Sequence, residues 1–171
     1  MRYTIPAILL AVLLTTPLLA GEPKELTAAR AKYQQASPHP SEADRERYVS
    51  SLAVMRAKMA AVKSSMDWQA VDAEMRRNPM PKASDTKALT ELRIGKWESP
   101  RHGYLLRKDG TWVMLPAEPD ATHGRWHIEG NRYFEMGPGD AAPGRPYTII
   151  LLNQKDFIYT DGEVVFYETR K

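Results

Sequence analysis

The chain is predicted to be α+β, with an N-terminal helical segment folded as a helical hairpin and then an antiparallel up-and-down β-meander that closes as a small barrel of about eight strands. Three observations predict it. Tight-turn signals punctuate residues 94–170, at Lys108-Asp109-Gly110, Glu129-Gly130-Asn131 and Thr160-Asp161-Gly162. Between those turns stand short runs of strand formers, such as Thr111-Trp112-Val113-Met114-Leu115 and Val164-Val165-Phe166-Tyr167. Upstream of Pro79 and Pro81 the texture changes: apolar residues recur at spacings of three and four, and no glycine lies between Gly21 and Gly95.

In chain order, Met1 and Arg2 form a weakly basic start, followed by an apolar run from Ile5 to Leu14 that extends with interruptions to Leu19-Ala20. The run falls short of the roughly 20 residues that span a bilayer, and Pro6 and Pro17 break it. Small Ala20 stands before Gly21-Glu22-Pro23. This pattern predicts a signal peptide over residues 1–20, cleaved near Ala20, and a periplasmic or secreted location. An uncleaved inner-membrane anchor is the alternative, and it is the one route by which a membrane would be a partner.

The 171 residues contain no cysteine, which excludes a disulfide framework and a lipid-modified cysteine at the mature terminus. Stability must come from apolar burial. Lys and Arg number 24 against 21 Asp and Glu, a net charge of +3 that falls to about +2 once Arg2 leaves with the signal segment. Acids and bases alternate along the helical region, so nucleic acid is not an expected partner.

Residues 21–40 read as a polar, flexible lead-in: Lys24–Gln35 offers few apolar anchors, and Ser37-Pro38-His39-Pro40 favours extended backbone. Residues 41–92 read as the helical region. Ser41 with Asp44 three residues on is a capping-box variant. Tyr48, Leu52, Met55, Met59, Val62 and Met66 then form one narrow apolar stripe at spacings of four, three, four, three and four. Such a seam suits a helical hairpin first, with self-association through helix 41–66, or a helix laid on the barrel, as the other uses. Trp68, Val71 and Met75 continue in a new phase until Asn78-Pro79-Met80-Pro81 stops the helix. A short helix capped by Ser84 or Asp85 is expected to run through Leu92, and 78–84 is the expected hinge between the halves.

Residues 93–171 form the barrel domain, with strands expected near 94–99, 102–107, 111–115, 123–128, 132–136, 147–153, 156–160 and 163–169. Gly95-Lys96-Trp97 opens the first and Arg170 closes the last. In this the chain resembles the calycin and lipocalin-like group, where a Gly-x-Trp lies on strand one and an arginine of the final strand packs across the tryptophan. Asp109-Gly110-Thr111-Trp112 and Gly124-Arg125-Trp126 resemble the hairpins of small bacterial lipocalin-like domains. The resemblance implies structural roles for Gly95, Trp97 and Arg170. It also implies a reduced barrel with little room for a large ligand.

Chemistry is hard to find. His39, His102, His123 and His127 are the metal or acid–base candidates. His123 and His127 share a strand face but would stand about 13 Å apart at the strand rise, too far for one ion, so no metal site is expected. With Arg125 they form a polar face opposite Trp126 and Ile128. No nucleophile elbow, paired carboxylate or phosphate-cradling glycine loop is legible, no cofactor is implied, and the chain is not expected to be an enzyme. A hydrolase would need folding to gather His102 or His127 with distant acids.

The aromatic residues are the alternative focus. They most simply fill the barrel, but Tyr104, Trp112, Trp126 and Tyr147 are candidates for contact with a ligand or partner, since Trp and Tyr are enriched in binding hot spots. The expected function is therefore an exported, non-catalytic binding module of the bacterial cell envelope that recognises a small apolar ligand or a protein. The competing expectation is a secreted inhibitor or immunity protein. The resemblance to calycin-type protease inhibitors would give that role to the segment before Ser41.

Overall fold

The computed structural model describes residues 22–36, 39–61, 65–82, 84–117 and 121–171. The predicted signal segment, its cleavage point, and Val62 of the apolar stripe lie outside those residues, as does the side chain of Met66. No described helix is long and apolar enough to cross a membrane. Four helices precede eight strands: α1 (Lys24–Ala36), α2 (Glu42–Ala61), α3 (Ser65–Arg76), α4 (Thr86–Arg93), β1 (Gly95–Glu98), β2 (Gly103–Leu106), β3 (Thr111–Leu115), β4 (His123–Glu129), β5 (Arg132–Met136), β6 (Arg145–Leu152), β7 (Asp156–Thr160) and β8 (Val165–Arg170).

Every strand pairs antiparallel with the next, and β8 returns to β1, so the meander closes as an eight-stranded barrel. Closure rests on Trp97 opposite Arg170 and Glu98 opposite Thr169. Short turns make this order nearly compulsory. The Asp109 carboxylate accepts from the Thr111 amide at 2.9 Å, and Asp161 accepts from the amides of Glu163 and Val164, so each turn fixes its own hairpin.

Alternation sends one face of each strand inward. The interior core holds Leu106, Trp112, Trp126, Ile128, Tyr133, Ile149, Leu152, Phe157 and Tyr159. The outer faces of β6, β7 and β8 present Ile150, Leu151, Ile158 and Val165 to a second core, completed by Leu26, Tyr48, Val49, Leu52, Val71 and Met75 of the helices. One irregularity lets β6 serve both cores. Its register with β7 slips between Ile149 and Leu151, so Ile149 and Leu152 face the interior while Ile150 and Leu151 both face the helices.

The helical region is the predicted hairpin, α2 against α3, and it is also laid on the barrel. Ser41 caps α2 reciprocally: the Asp44 amide donates to Ser41 Oγ at 3.2 Å, and the Ser41 amide donates to Asp44 Oδ2 at 3.0 Å. Asp85 caps α4 by accepting from the amides of Lys87 and Ala88.

Over most of its length the lead-in is helical and packed on the rest of the molecule. Lys24–Ala36 is α1, anchored by fully buried Leu26, by a parallel stack of Tyr33 on Tyr48 with centroids 4.3 Å apart, and by Arg30, which bridges Glu22 and Glu74. The connection after α3 is tied to the barrel at Met80. Met80 is buried and its amide donates to Ile149 O at 2.9 Å, while Asn131 Nδ2 donates to Met80 O at 2.6 Å, stitching the connection to the barrel.

Candidate functional site

The end of the barrel where β1 begins is closed by α4. Leu89 joins the interior core, and one turn later Arg93 puts its whole side chain inside, at 1% exposure. Its backbone carbonyl accepts from Trp97 Nε1 at 2.8 Å, which ties the end of α4 to the first strand.

Trp97 is fully buried, and two guanidinium groups approach its ring. The Arg93 and Arg170 guanidinium carbons are 5.0 Å and 4.7 Å from the indole centroid. Arg170 also donates to the carbonyls of Ile94 (Nη1, 3.0 Å) and Leu92, so the last strand holds the chain leaving α4. Gly95 makes that approach possible. Its φ is +128°, and a Cβ there would stand 3.0 Å from Arg170 Nη1. The Gly-x-Trp and the terminal arginine thus form one physical unit.

Deeper inside, Arg93 faces Glu168, itself 4% exposed, with Nη1 2.7 Å from Oε2. Burial works against the Arg93 charge, but Glu168, Tyr133 and Tyr159 around it hold its pKa above the ordinary arginine value. Phe157 offers its ring face 4.0 Å from the same guanidinium, and Tyr159 donates to Glu168 Oε1 at 2.8 Å. Burial raises the pKa values of Tyr133 and Tyr159 well above the usual range, so both remain hydroxyl donors. Glu135 is also pushed up by burial, although Tyr133 donates to it at 3.1 Å.

These groups enclose a cavity of about 10 Å³ lined by Arg93, Tyr104, Trp112, Tyr133, Glu135 and Glu168, with Leu106 on its apolar side. All four aromatic residues singled out from the sequence belong to this interior. Tyr104 meets Trp112 edge-on at 6.0 Å, Trp126 donates to Thr111 O at 3.1 Å, and Tyr147 packs on Tyr133, Tyr159 and Phe166. Trp112 lies where only glycine fits opposite it: a Cβ on Gly124 would stand 2.8 Å from Trp112 Nε1 and 1.9 Å from Met136 O.

Outside the barrel, His127 stacks on Phe134 at 4.5 Å and lies 3.5 Å from Glu129, while His123 is exposed on the same strand. Among the described residues no three His, Asp or Glu side chains converge on a common point suited to a metal ion. A larger concavity is a groove of about 330 Å³ between α3 and the β7–β8 turn, lined by Trp68, Gln69, Asp72, Arg76, Glu163 and Val164. Val164 is 52% exposed there. The groove floor is cross-tied: Arg56 stacks over both Trp68 and Tyr167 and pairs with Asp72, which also accepts from Tyr167.

Comparison with protein-family models, with curated proteins and with solved structures finds no match for this chain.

Sequence reasoning missed Arg93, Glu168 and Glu135 as interior groups. The signal was available in part. Leu89 and Arg93 are four apart on one helix face, and Glu168 shares a face of β8 with Phe166 and Arg170.

Proposed function

We propose that the chain is an exported, non-catalytic binding module of the cell envelope, built on a reduced lipocalin-like barrel, and that what it recognises is a protein. The single observation that supports a protein over a small apolar ligand is the filling of the lumen. Rings, a charge pair and one further carboxyl occupy it, leaving a cavity of about 10 Å³. Ligand pockets for drug-sized molecules run to about 300–1,000 Å³ and are mostly apolar, so recognition falls to the outer surface.

On that surface the groove beside Trp68 has the features of a hot spot: a large aromatic side chain held by Arg56, a partly exposed valine beside it, and charged groups at the rim. The inhibitor alternative relied on the segment before Ser41 as a free arm. With Leu26 buried and Arg30 tied to Glu74, most of that segment is committed to the helical cover.

The test is capture from envelope extract with the native chain, Trp68→Ala and Val164→Asp side by side, together with native mass measurement of the purified protein. A protein retained by the native chain and lost from both variants is expected, with no bound small molecule. A stoichiometric lipid-sized adduct on the native chain would overturn the reading.

A further inference from the structure

The lumen contains more hydrogen-bonding capacity than its own residues use. Arg93 Nε and Nη1 and Glu168 Oε2 are buried with no aligned hydrogen-bond partner among the described residues. The Nη1–Oε2 contact of 2.7 Å is an ion pair by distance, but it is poorly directed as a hydrogen bond. Leaving such groups unmatched in a low-dielectric interior is unfavourable, the more so when they are charged. The cavity that both residues line has the volume of one water molecule.

We propose that this cavity is a binding site for a single neutral, water-sized molecule that both donates and accepts hydrogen bonds, occupied by water in the resting protein. Charge selects the class. Arg93 and Glu168 balance each other, and Glu135, the third ionisable group at the cavity, is biased toward its neutral form by burial. A halide would gain Arg93 but face the Glu168 carboxylate, and an ammonium ion would face the guanidinium. Only a neutral molecule can accept from Arg93 Nε or Nη1 and donate to Glu168 Oε2 at once. The bound molecule completes the charge pair that joins the end of α4 to β8, so it acts as part of the barrel's closure.

Water-to-protein cross-relaxation on the isotopically labelled full chain tests this. The expected result is a cross-peak from a long-lived water to the Arg93 Nε–H. Leu106→Phe, which extends a side chain into the cavity, is expected to abolish it; if that variant does not fold, Leu106→Met is expected to weaken it while the remaining spectrum stays native. Absence of the cross-peak in the native chain overturns the proposal. So does a saturable shift of the Arg93 Nε–H on titration with chloride, which would make the cavity an anion site.

Discussion

Arg170 and Trp97 face each other across the β1–β8 seam, register partners whose guanidinium and indole lie 4.7 Å apart, and the same arginine holds the carbonyls of Leu92 and Ile94. Barrel closure and helix attachment therefore share one side chain. Trp97→Ala is expected to cost about 3–5 kcal/mol, as for any large buried aromatic truncated in a packed core. His123→Ala, on the exposed face of β4, is expected to change stability by no more than about 0.5 kcal/mol. Urea unfolding of the two variants checks this, and equal small losses would remove Trp97 from its central place.

The Arg93–Glu168 pair should behave as a unit. Removing either partner leaves the other charge buried and uncompensated, so Arg93→Met and Glu168→Gln are each expected to lose about 3–5 kcal/mol. The double variant is expected to lose clearly less than the sum of the two. A double-mutant cycle by chemical denaturation measures the coupling, and simple additivity would show that the two groups do not interact.

Glu135 gives a pH dependence with a definite sign. Burial raises its pKa above the ordinary 4.5. A carboxyl raised in the folded state stabilises fully below the unfolded value, and that contribution is lost as pH rises through the folded value. Glu135→Gln never ionises, so relative to the native chain it should gain stability as the pH is raised from about 4 to about 7. Unfolding midpoints of the two proteins across that range give the difference directly. A gap that stays constant with pH contradicts the assignment.

Glu74 has the opposite sign. Burial alone would raise its pKa, but hydrogen bonds from Arg30, Tyr48 and Arg77 outweigh that and leave it below the ordinary carboxylate value. Its contribution is present above the unfolded value near 4.5 and is lost as pH falls through the lowered folded value. Because Arg30 carries this bridge to α1, amide exchange in Lys24–Ala36 is expected to accelerate in acid before exchange in β6–β8 does. Uniform acceleration along the chain would show that α1 is not released separately.

A fragment of residues 84–171 should retain a β-rich far-ultraviolet spectrum, since every strand and α4 lie within it. It uncovers Ile150, Leu151, Ile158 and Val165, so lower stability and a tendency to associate are expected. A mainly helical spectrum would contradict the division between cover and barrel.

The strands were legible because their turns carry local chemistry. Asp109 and Asp161 fix their hairpins without help from the rest of the molecule, and the expected segments match the observed ones to within about two residues. The helical hairpin was legible for a similar reason, through the Ser41 cap and the stripe that begins at Tyr48.

Interior polarity was not legible. Arginine and glutamate are read as solvated by default, and nothing local to Arg93 announces that Glu168, 75 positions along the chain by their residue numbers, will meet it. The docking of α1 was overlooked although Leu26, Ala29 and Tyr33 stand at spacings of three and four, because so few apolar residues look insufficient until Arg30 and Glu74 are added. The slip in β6 was hidden by Ile149-Ile150-Leu151-Leu152, a continuous apolar run without a period.

That slip makes the joint between cover and barrel a matter of chain length. Ile149 pairs with Tyr159 and Leu151 with Ile158, so Ile150 is a surplus residue as far as the ladder is concerned. The helices use it: its side chain is fully buried in their core, and its carbonyl accepts from Arg45 Nη1 at 2.8 Å. Excising Ile150 alone would leave a β6 that still alternates correctly against β7 and still closes. What it would remove is a buried side chain of the helical core and the carbonyl that accepts from Arg45 of α2, so one residue of chain length sets how firmly the barrel holds its helical cover.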